Sequence, residues 1–168
     1  TLGKKMKHIV GIFDSKEDYK SQELEKAHRL CFDTNDDRTY AYFSLISPVF
    51  EKYAQQQTGV GINSINVLFL LTEIEYSNVL LELNLLKSKF ISYPKSWNEH
   101  TGTKKIGNEP ETIVQPLIFQ NRVLKIIVTL ESLIELAKAT QKNIVYGNGV
   151  RYRPLSGKKP IPGVVTYS

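Results

Sequence analysis

Hydrophobic positions along this chain change period several times, and those changes predict a mixed architecture. Residues 7–13 are β-branched and aromatic enough for a first strand. Ser15, with Asp18 three residues on, resembles a capping box and predicts a helix through about residue 30, with Leu24, Ala27 and Leu30 turned inward. Residues 32–38 follow as a polar loop. Ser47-Pro48 supplies an N-cap and a first-turn proline for a helix presenting Val49, Phe50 and Tyr53. Gly59 and Gly61 break the chain before Asn63 or Ser64 caps the main apolar helix. An unbroken helix from there to Phe90 would be unusually long, so a bend or division is expected near Ser77-Asn78.

The second half reads as sheet with one helix. Residues 112–119 and 123–128 are strand-like runs joined by Gln120-Asn121-Arg122, which predicts a hairpin. Pro116 removes one ladder donor and favours an edge or a bulge. Thr129 can cap a helix through Thr140 with Leu130, Leu133, Ile134 and Ala137 on one face. Residues 144–146 and 150–153 flank Gly147-Asn148-Gly149, a strong hairpin turn because glycine and asparagine tolerate positive φ. Residues 154–168 form a basic tail, rich in glycine and proline and expected to be extended. The whole pattern predicts an α+β fold: one domain over residues 1–168, with helices packed on a small, mainly antiparallel sheet.

Composition narrows the class. A chain of 168 residues, 41% hydrophobic, can bury a substantial core. The single cysteine, Cys31, excludes an internal disulfide and a four-thiolate zinc site. No apolar run reaches the ~18 residues that span a bilayer, since Glu73, Glu75 and Glu82 interrupt the best candidate, so no membrane partner is expected. Residues 1–5 lack a signal-peptide core, which makes the cytoplasm the default location. Met6 is the only methionine, and two readings stay open: residues 1–5 are a cloning scar, or the chain is cut from a longer protein.

The net charge of +5 matters mainly for where it sits. Residues 136–168 carry Lys138, Lys142, Arg151, Arg153, Lys158 and Lys159 and no carboxylate, leaving 16 cations against 17 carboxylates elsewhere. An uncompensated basic segment attracts polyanions, because each cation placed on a phosphate releases condensed counterions. A short hairpin that merely solvates its lysines carries the same signature.

Catalytic constellations are thin. His8, His28 and His100 share no metal-ligand spacing, and no His-Glu-x-x-His motif occurs. Residues 33–37 open like a calcium loop, but Arg38 replaces the sixth-position glycine and Ser44 the twelfth-position glutamate. Residues 59–64 lack the third glycine of a dinucleotide fingerprint, and Gly157-Lys158-Lys159 is not a phosphate-binding loop. Cys31 and His28 could share a helix face, although a buried small thiol is far commoner than a nucleophile. No cofactor, no metal and no enzymatic activity are expected.

Binding chemistry has more support. Nonspecific single-strand binding combines a positive groove that follows phosphates with aromatic rings on which bases stack. Tyr93, Lys95 and Trp97 form one such group, and Arg151, Tyr152 and Arg153 another, although strand alternation would put Tyr152 opposite the two arginines. Trp97 also reads as a core or rim anchor, and Asn66 as an amide that satisfies backbone.

Certain segments also occur in a recognisable order. Thr58-Gly59 is followed after five residues by Ile65-Asn66 and a leucine-rich run, then by Trp97, the turn over residues 101–107 and the apolar stretch 112–119. Over roughly residues 40–130 this order resembles the N-terminal domain of antirestriction protein ArdC, which also begins the TraC-type plasmid primases. The family's basic turn usually carries more cations than Lys104-Lys105-Ile106-Gly107-Asn108-Glu109, and its helix lies closer to the tryptophan. The zinc-peptidase-like domain that often follows in full-length ArdC-like proteins has no counterpart here.

The resemblance implies a single-stranded-DNA-binding domain of a plasmid, phage or conjugative-element protein, with Lys104 and Lys105 near the bound strand. The expected nucleic-acid contacts are then Asn66, Tyr93, Lys95, Trp97, Lys104, Lys105, Arg151, Arg153, Lys158 and Lys159, and the partner single-stranded DNA, or RNA. The alternative is a protein-interaction module of a DNA-processing or anti-restriction complex, which an exposed apolar patch on residues 80–86 would favour. A small nuclease using His100 with Lys104 or Lys105 is the weakest reading, because no acid–base pair has defensible spacing.

Overall fold

The computed structural model describes residues 7–15, 18, 22–53, 55–56, 68–70, 72–148, 150 and 153–154. Among these, an antiparallel sheet carries three helices on one face, which is the expected α+β class. The sheet is built from β1 (Lys7–Phe13), β3 (Arg29–Asp33), β4 (Gln55–Gln56), β5 (Leu68–Leu70) and β10 (Asn143–Gly147), in the order β3-β1-β10-β5-β4. Strand alternation divides its side chains. Val10, Ile12, Leu30, Phe32, Ile144 and Tyr146 face the helices, while Ile9, Phe13, Cys31 and Val145 face the other way. Leu24 from β2 (Glu23–Leu24) and Val150 complete that second, smaller cluster. Gly11 lies under Leu24: a Cβ there would stand 2.8 Å from Phe13 Cε2 and 3.0 Å from Leu24 Cδ1, so any side chain would displace the cover.

Several expectations about the elements are overturned. In place of the helix expected to run to residue 30, β2, a 3-10 turn at Lys26–His28 and β3 cover residues 23–33. Leu24 and Leu30 do point inward, but Ala27 is exposed. Leu30, Cys31 and Phe32 are consecutive and all buried, which a strand with two covered faces allows and an amphipathic helix does not. Residues 16, 17 and 19–21 lie outside the described residues.

The first long helix, α1 (Asp37–Tyr53), begins ten residues before the expected Ser47 cap and replaces the end of the polar loop. Asp36 caps it, its Oδ2 accepting from the Thr39 N–H and Oγ1, both at 3.0 Å. Pro48 therefore sits in the helix interior, on the solvent side, where the carbonyl it leaves unbonded can reach water. Ser47 is buried and hydrogen-bonds Tyr146.

The main apolar helix is also shorter and later than expected. Leu68–Leu70 is strand, and α2 (Glu73–Ile91) starts from a complete Thr72/Glu75 capping box, with bonds of 3.3 and 3.2 Å. It runs unbroken for 19 residues through Ser77-Asn78. The expected cap at Asn63 or Ser64 lies outside the described residues, as do Thr58, Gly59, Gly61 and Ile65.

The expected hairpin around Gln120-Asn121-Arg122 is instead the start of α3 (Gln120–Thr140). Val123, Ile126, Ile127, Leu130, Leu133, Ile134 and Ala137 are all buried on one face, so residues 123–128 continue the same stripe as the rest. Burying each large aliphatic is worth roughly 1.5–3 kcal/mol, which outweighs their β-propensity of at most ~1 kcal/mol.

The hairpin expected at Gly147-Asn148-Gly149 is also replaced. β10 is central, with β1 and β5 as its neighbours, because Ile144, Val145 and Tyr146 are all buried and need cover on both faces and edges. Residues Arg153–Pro154 form β11 (Arg153–Pro154), which pairs in parallel with β2. Of the tail expected over residues 154–168, Pro154 belongs to β11 and residues 155–168 lie outside the described residues.

A long arm follows α2. β6 (Ser96–Asn98) pairs with β9 (Leu117–Phe119), and β7 (Gly102–Lys104) pairs with β8 (Thr112–Val114). Between the two ladders, residues 99–101 face only Gln115 and Pro116, so one strand carries an extra residue. Pro116, expected at an edge or a bulge, lies opposite that extra residue between two-stranded ladders. Gly102 follows it at a φ of 147°, and Gly107 makes the tip turn at 59°, conformations that favour glycine. No helix among the described residues is long and apolar enough to cross a membrane.

Candidate interaction surfaces

Near the base of the arm, the structure brings Tyr93 and Trp97 together around Phe90. Ring centroids lie 4.9 Å apart for Phe90–Tyr93, 4.8 Å for Tyr93–Trp97 and 5.9 Å for the stacked Phe90–Trp97 pair. The indole Nε1–H donates to Glu99 at 2.7 Å. One face of Trp97 is thus occupied by Phe90 and its N–H by a carboxylate, so the ring is an anchor packed on the main core. Lys89 lies 5.5 and 5.9 Å from the Phe90 and Tyr93 centroids. The sequence reading missed it, although its place one residue before Phe90 was the available signal.

Gln120, also missed, holds this corner closed. Its side-chain amide donates to the carbonyls of Phe90, Ile91 and Tyr93 at 2.8, 2.9 and 3.0 Å, and its backbone N–H donates to Lys95 O at 3.0 Å. The last carbonyls of α2 are satisfied from the first residue of α3. The Phe119 N–H donates to the Tyr42 hydroxyl at 2.8 Å, tying the same corner to α1.

The expected cationic turn is not assembled with these rings. Lys104 stands seven residues from Trp97 along an extended arm, roughly 20 Å away. Its ammonium is held by both oxygens of Asp37 at 2.7 Å. The arm over residues 96–119 carries Lys104 and Lys105 against Glu99, Glu109 and Glu111, so it forms no positive groove. Lys95 and Lys105 are exposed and make no ion pair among the described residues. Asn66, Arg151, Lys158 and Lys159 lie outside the described residues, and Arg153 is placed only as part of β11.

The candidate catalytic and metal-ligating residues lie apart from one another. No group of three His, Cys, Asp or Glu side chains among the described residues could hold an ion. His100 is exposed on the arm. Cys31 is buried in β3 rather than on a helix face with His28, and burial pushes its thiol up, away from the nucleophilic thiolate. His8 packs on Phe43 at 4.3 Å and meets Thr34 Oγ1 at 3.2 Å, with burial lowering its pKa to about 4. A cleft of about 590 Å3 opens between the start of α2 and the end of α3. In its lining the Tyr76 hydroxyl donates to Lys142 O, Lys142 meets Asp14 at 3.1 Å, and Lys138 stands 4.0 Å from Glu73.

Among the described residues, several large apolar side chains are exposed on one helix. On α2, Ile74 is 73% exposed, Leu81 60%, Leu85 56% and Ile91 62%. At 100° per residue, Ile74, Leu81 and Leu85 fall within about 20° of one line, directly opposite buried Tyr76, Val79, Leu83 and Phe90. The charges in the middle of the helix are turned to its flanks. Glu82 accepts from Lys52 at 3.0 Å and from the Tyr53 hydroxyl at 2.8 Å, and Lys87 pairs with Glu131 at 2.8 Å.

The chain matches no protein-family model, no curated protein and no solved structure. The ArdC-like order of segments therefore rests on the residues alone.

Proposed function

We propose that this chain is a non-enzymatic docking module that engages a protein through the outer face of α2. The observation that supports this reading is the line of Ile74, Leu81 and Leu85 on a helix firmly capped at its N-terminus and clamped at its C-terminus. A helix with apolar residues on two opposite faces is normally covered on both, and among the described residues the helices and sheet cover only one side of α2. A dilute solution of the protein should enhance the fluorescence of an apolar dye, and Leu81→Gln with Leu85→Gln should abolish that enhancement without changing the circular dichroism. Dye binding that survives both substitutions would remove the reading.

Single-strand binding is the second reading, favoured by the placement of Lys89 over the Phe90 and Tyr93 rings and by exposed Lys95, two residues along the chain from both Tyr93 and Trp97. It predicts tighter binding to a single strand than to duplex, weakening with salt by about 0.7 log units per log unit of salt for each phosphate neutralised. Lys89→Gln with Lys95→Gln should flatten that slope. Equal affinity for the two forms, or no binding at low salt, would sink it.

A further inference from the structure

We propose that the outer face of α2 pairs with the same face of a second copy of this chain, the two helices running antiparallel. This rests on the docking reading above and names its occupant. The neighbours of Ile74, Leu81 and Leu85 on the outer face are Ser77, Asn78, Asn84 and Ser88, neutral and short, with Lys89 bordering the face towards its C-terminal end. Glu82 and Lys87, the charges that could repel an identical surface, are held on the flanks by Lys52, Tyr53 and Glu131.

Charge complementarity sets the direction. Glu73 and Glu75 begin the helix, while Lys89 ends it and Lys95 follows. Antiparallel pairing brings the acidic end of each copy to the basic end of the other and aligns the helix dipoles favourably. Parallel pairing would superimpose like charges at both ends. Apolar positions are also self-complementary about the level of Leu83: a two-fold axis there sets Leu81 against Leu85 of the second copy, and Ile74 over its last turn. Three large, exposed side chains per copy offer on the order of a few hundred Å2, below the roughly 800 Å2 per partner of a standard interface, so the dimer is a weak, reversible one.

Sedimentation equilibrium across micromolar to submillimolar concentrations tests this, with the whole chain. A monomer–dimer equilibrium is expected, and Leu81→Lys with Leu85→Lys should weaken it at least about a hundredfold, by clustering like charges at the axis while removing apolar contact. Circular dichroism should show that variant folded, as its sites lie outside the core. Orientation is read independently by oxidising Ser77→Cys and Ser88→Cys variants, since the native Cys31 is buried. A mixture of the two should cross-link readily, and either alone poorly. Cross-linking of each variant with itself and not in the mixture would overturn the antiparallel arrangement. A wild-type chain that stays monomeric throughout overturns the proposal. If that monomer still binds the dye through Leu81 and Leu85, the docking face stands with a different occupant; if it does not, both readings fall.

Discussion

The two longest helices, α2 and α3, lie side by side and antiparallel, tied by Lys87–Glu131 and by the Gln120 amide at one end, yet they treat solvent differently. On α3 every large residue of one stripe is buried, and Val128 and Leu136 are scattered singly among Arg122, Lys125, Ser132 and Glu135 on the other side. Its sequence is accounted for by the core of this chain alone. On α2 the inner stripe is just as buried, but a second stripe of isoleucine and leucine faces outward. That second stripe adds less to folding, since the exposed part of a side chain contributes no transfer free energy. Identical residue types are thus buried on one face of α2 and left exposed on the other.

The comparison breaks most sharply within α2 itself. Leu83→Ala, at a fully buried position, should cost about 2–5 kcal/mol in denaturant unfolding, through lost transfer energy and a residual cavity. Leu81→Ala, two residues away on the outer face, should stay within about 0.5 kcal/mol in dilute solution. A comparable loss at both positions would mean that the outer stripe is covered within the folded chain.

A charge can open the helix side of the sheet without touching α2 or α3. His8 has its pKa lowered by burial from the ordinary 6.5 to about 4. Its neutral form is favoured in the folded chain, so its contribution is fully present above pH 6.5 and is lost as pH falls from 6.5 towards 4. The loss is at most about 3 kcal/mol, reduced by the ring's partial exposure. Thermal melts at pH 7 and pH 4.5 should converge when His8→Phe is compared with wild type, because the substituted chain lacks this titration. An unchanged pH dependence in the variant would show that the carboxylates alone govern acid stability.

The corner that fixes α2 against α3 comes next. Gln120→Ala removes a donor shared by three carbonyls at a half-buried site, for an expected loss of about 1–2 kcal/mol. Hydrogen exchange should speed up selectively near Phe90 and Tyr93. Uniform acceleration along α2 would instead mean that the clamp supports the whole helix.

How far these features were legible in the sequence depends on the range of the interactions behind them. The stripe Leu130, Leu133, Ile134 and Ala137 was read correctly, since i, i+3, i+4, i+7 periodicity is local. Residues 123–128 were misread as strand because Val123, Ile126, Ile127 and Val128 are β-branched, and only their continuity with the later stripe reveals the helix. The central place of β10 depends on pairing with β1, more than a hundred residues away, and a local turn signal pointed elsewhere. The same holds for the site. Trp97 as an anchor was foreseeable from its aromatic neighbours, but the neutralisation of Lys104 by Asp37, 67 residues distant, was not. The apolar patch expected for a protein-interaction module over residues 80–86 is present at Leu81 and Leu85.

The smallest expected effect lies at the far end of α3. Gln141 adopts a φ of 55° as the helix ends, the Lys142 N–H donating to Ala137 O at 2.9 Å and the Gln141 N–H to Lys138 O at 3.3 Å. This is the Schellman pattern, in which glycine is favoured because a Cβ in the left-handed region is strained by roughly 1–2 kcal/mol. Gln141 is exposed, so replacing it removes little packing. Gly also gains entropy in the unfolded chain, which offsets part of the relief. Gln141→Gly should therefore stabilise by about 0.5–1 kcal/mol, raising Tm by roughly 1–4 °C for a chain of this size. Gln141→Val should do the opposite, since a β-branched side chain tolerates that conformation least. A fall in Tm for the glycine variant would show that the Gln141 side chain holds the end of α3, and would make α3 as dependent on its terminal contacts as α2 is on Gln120.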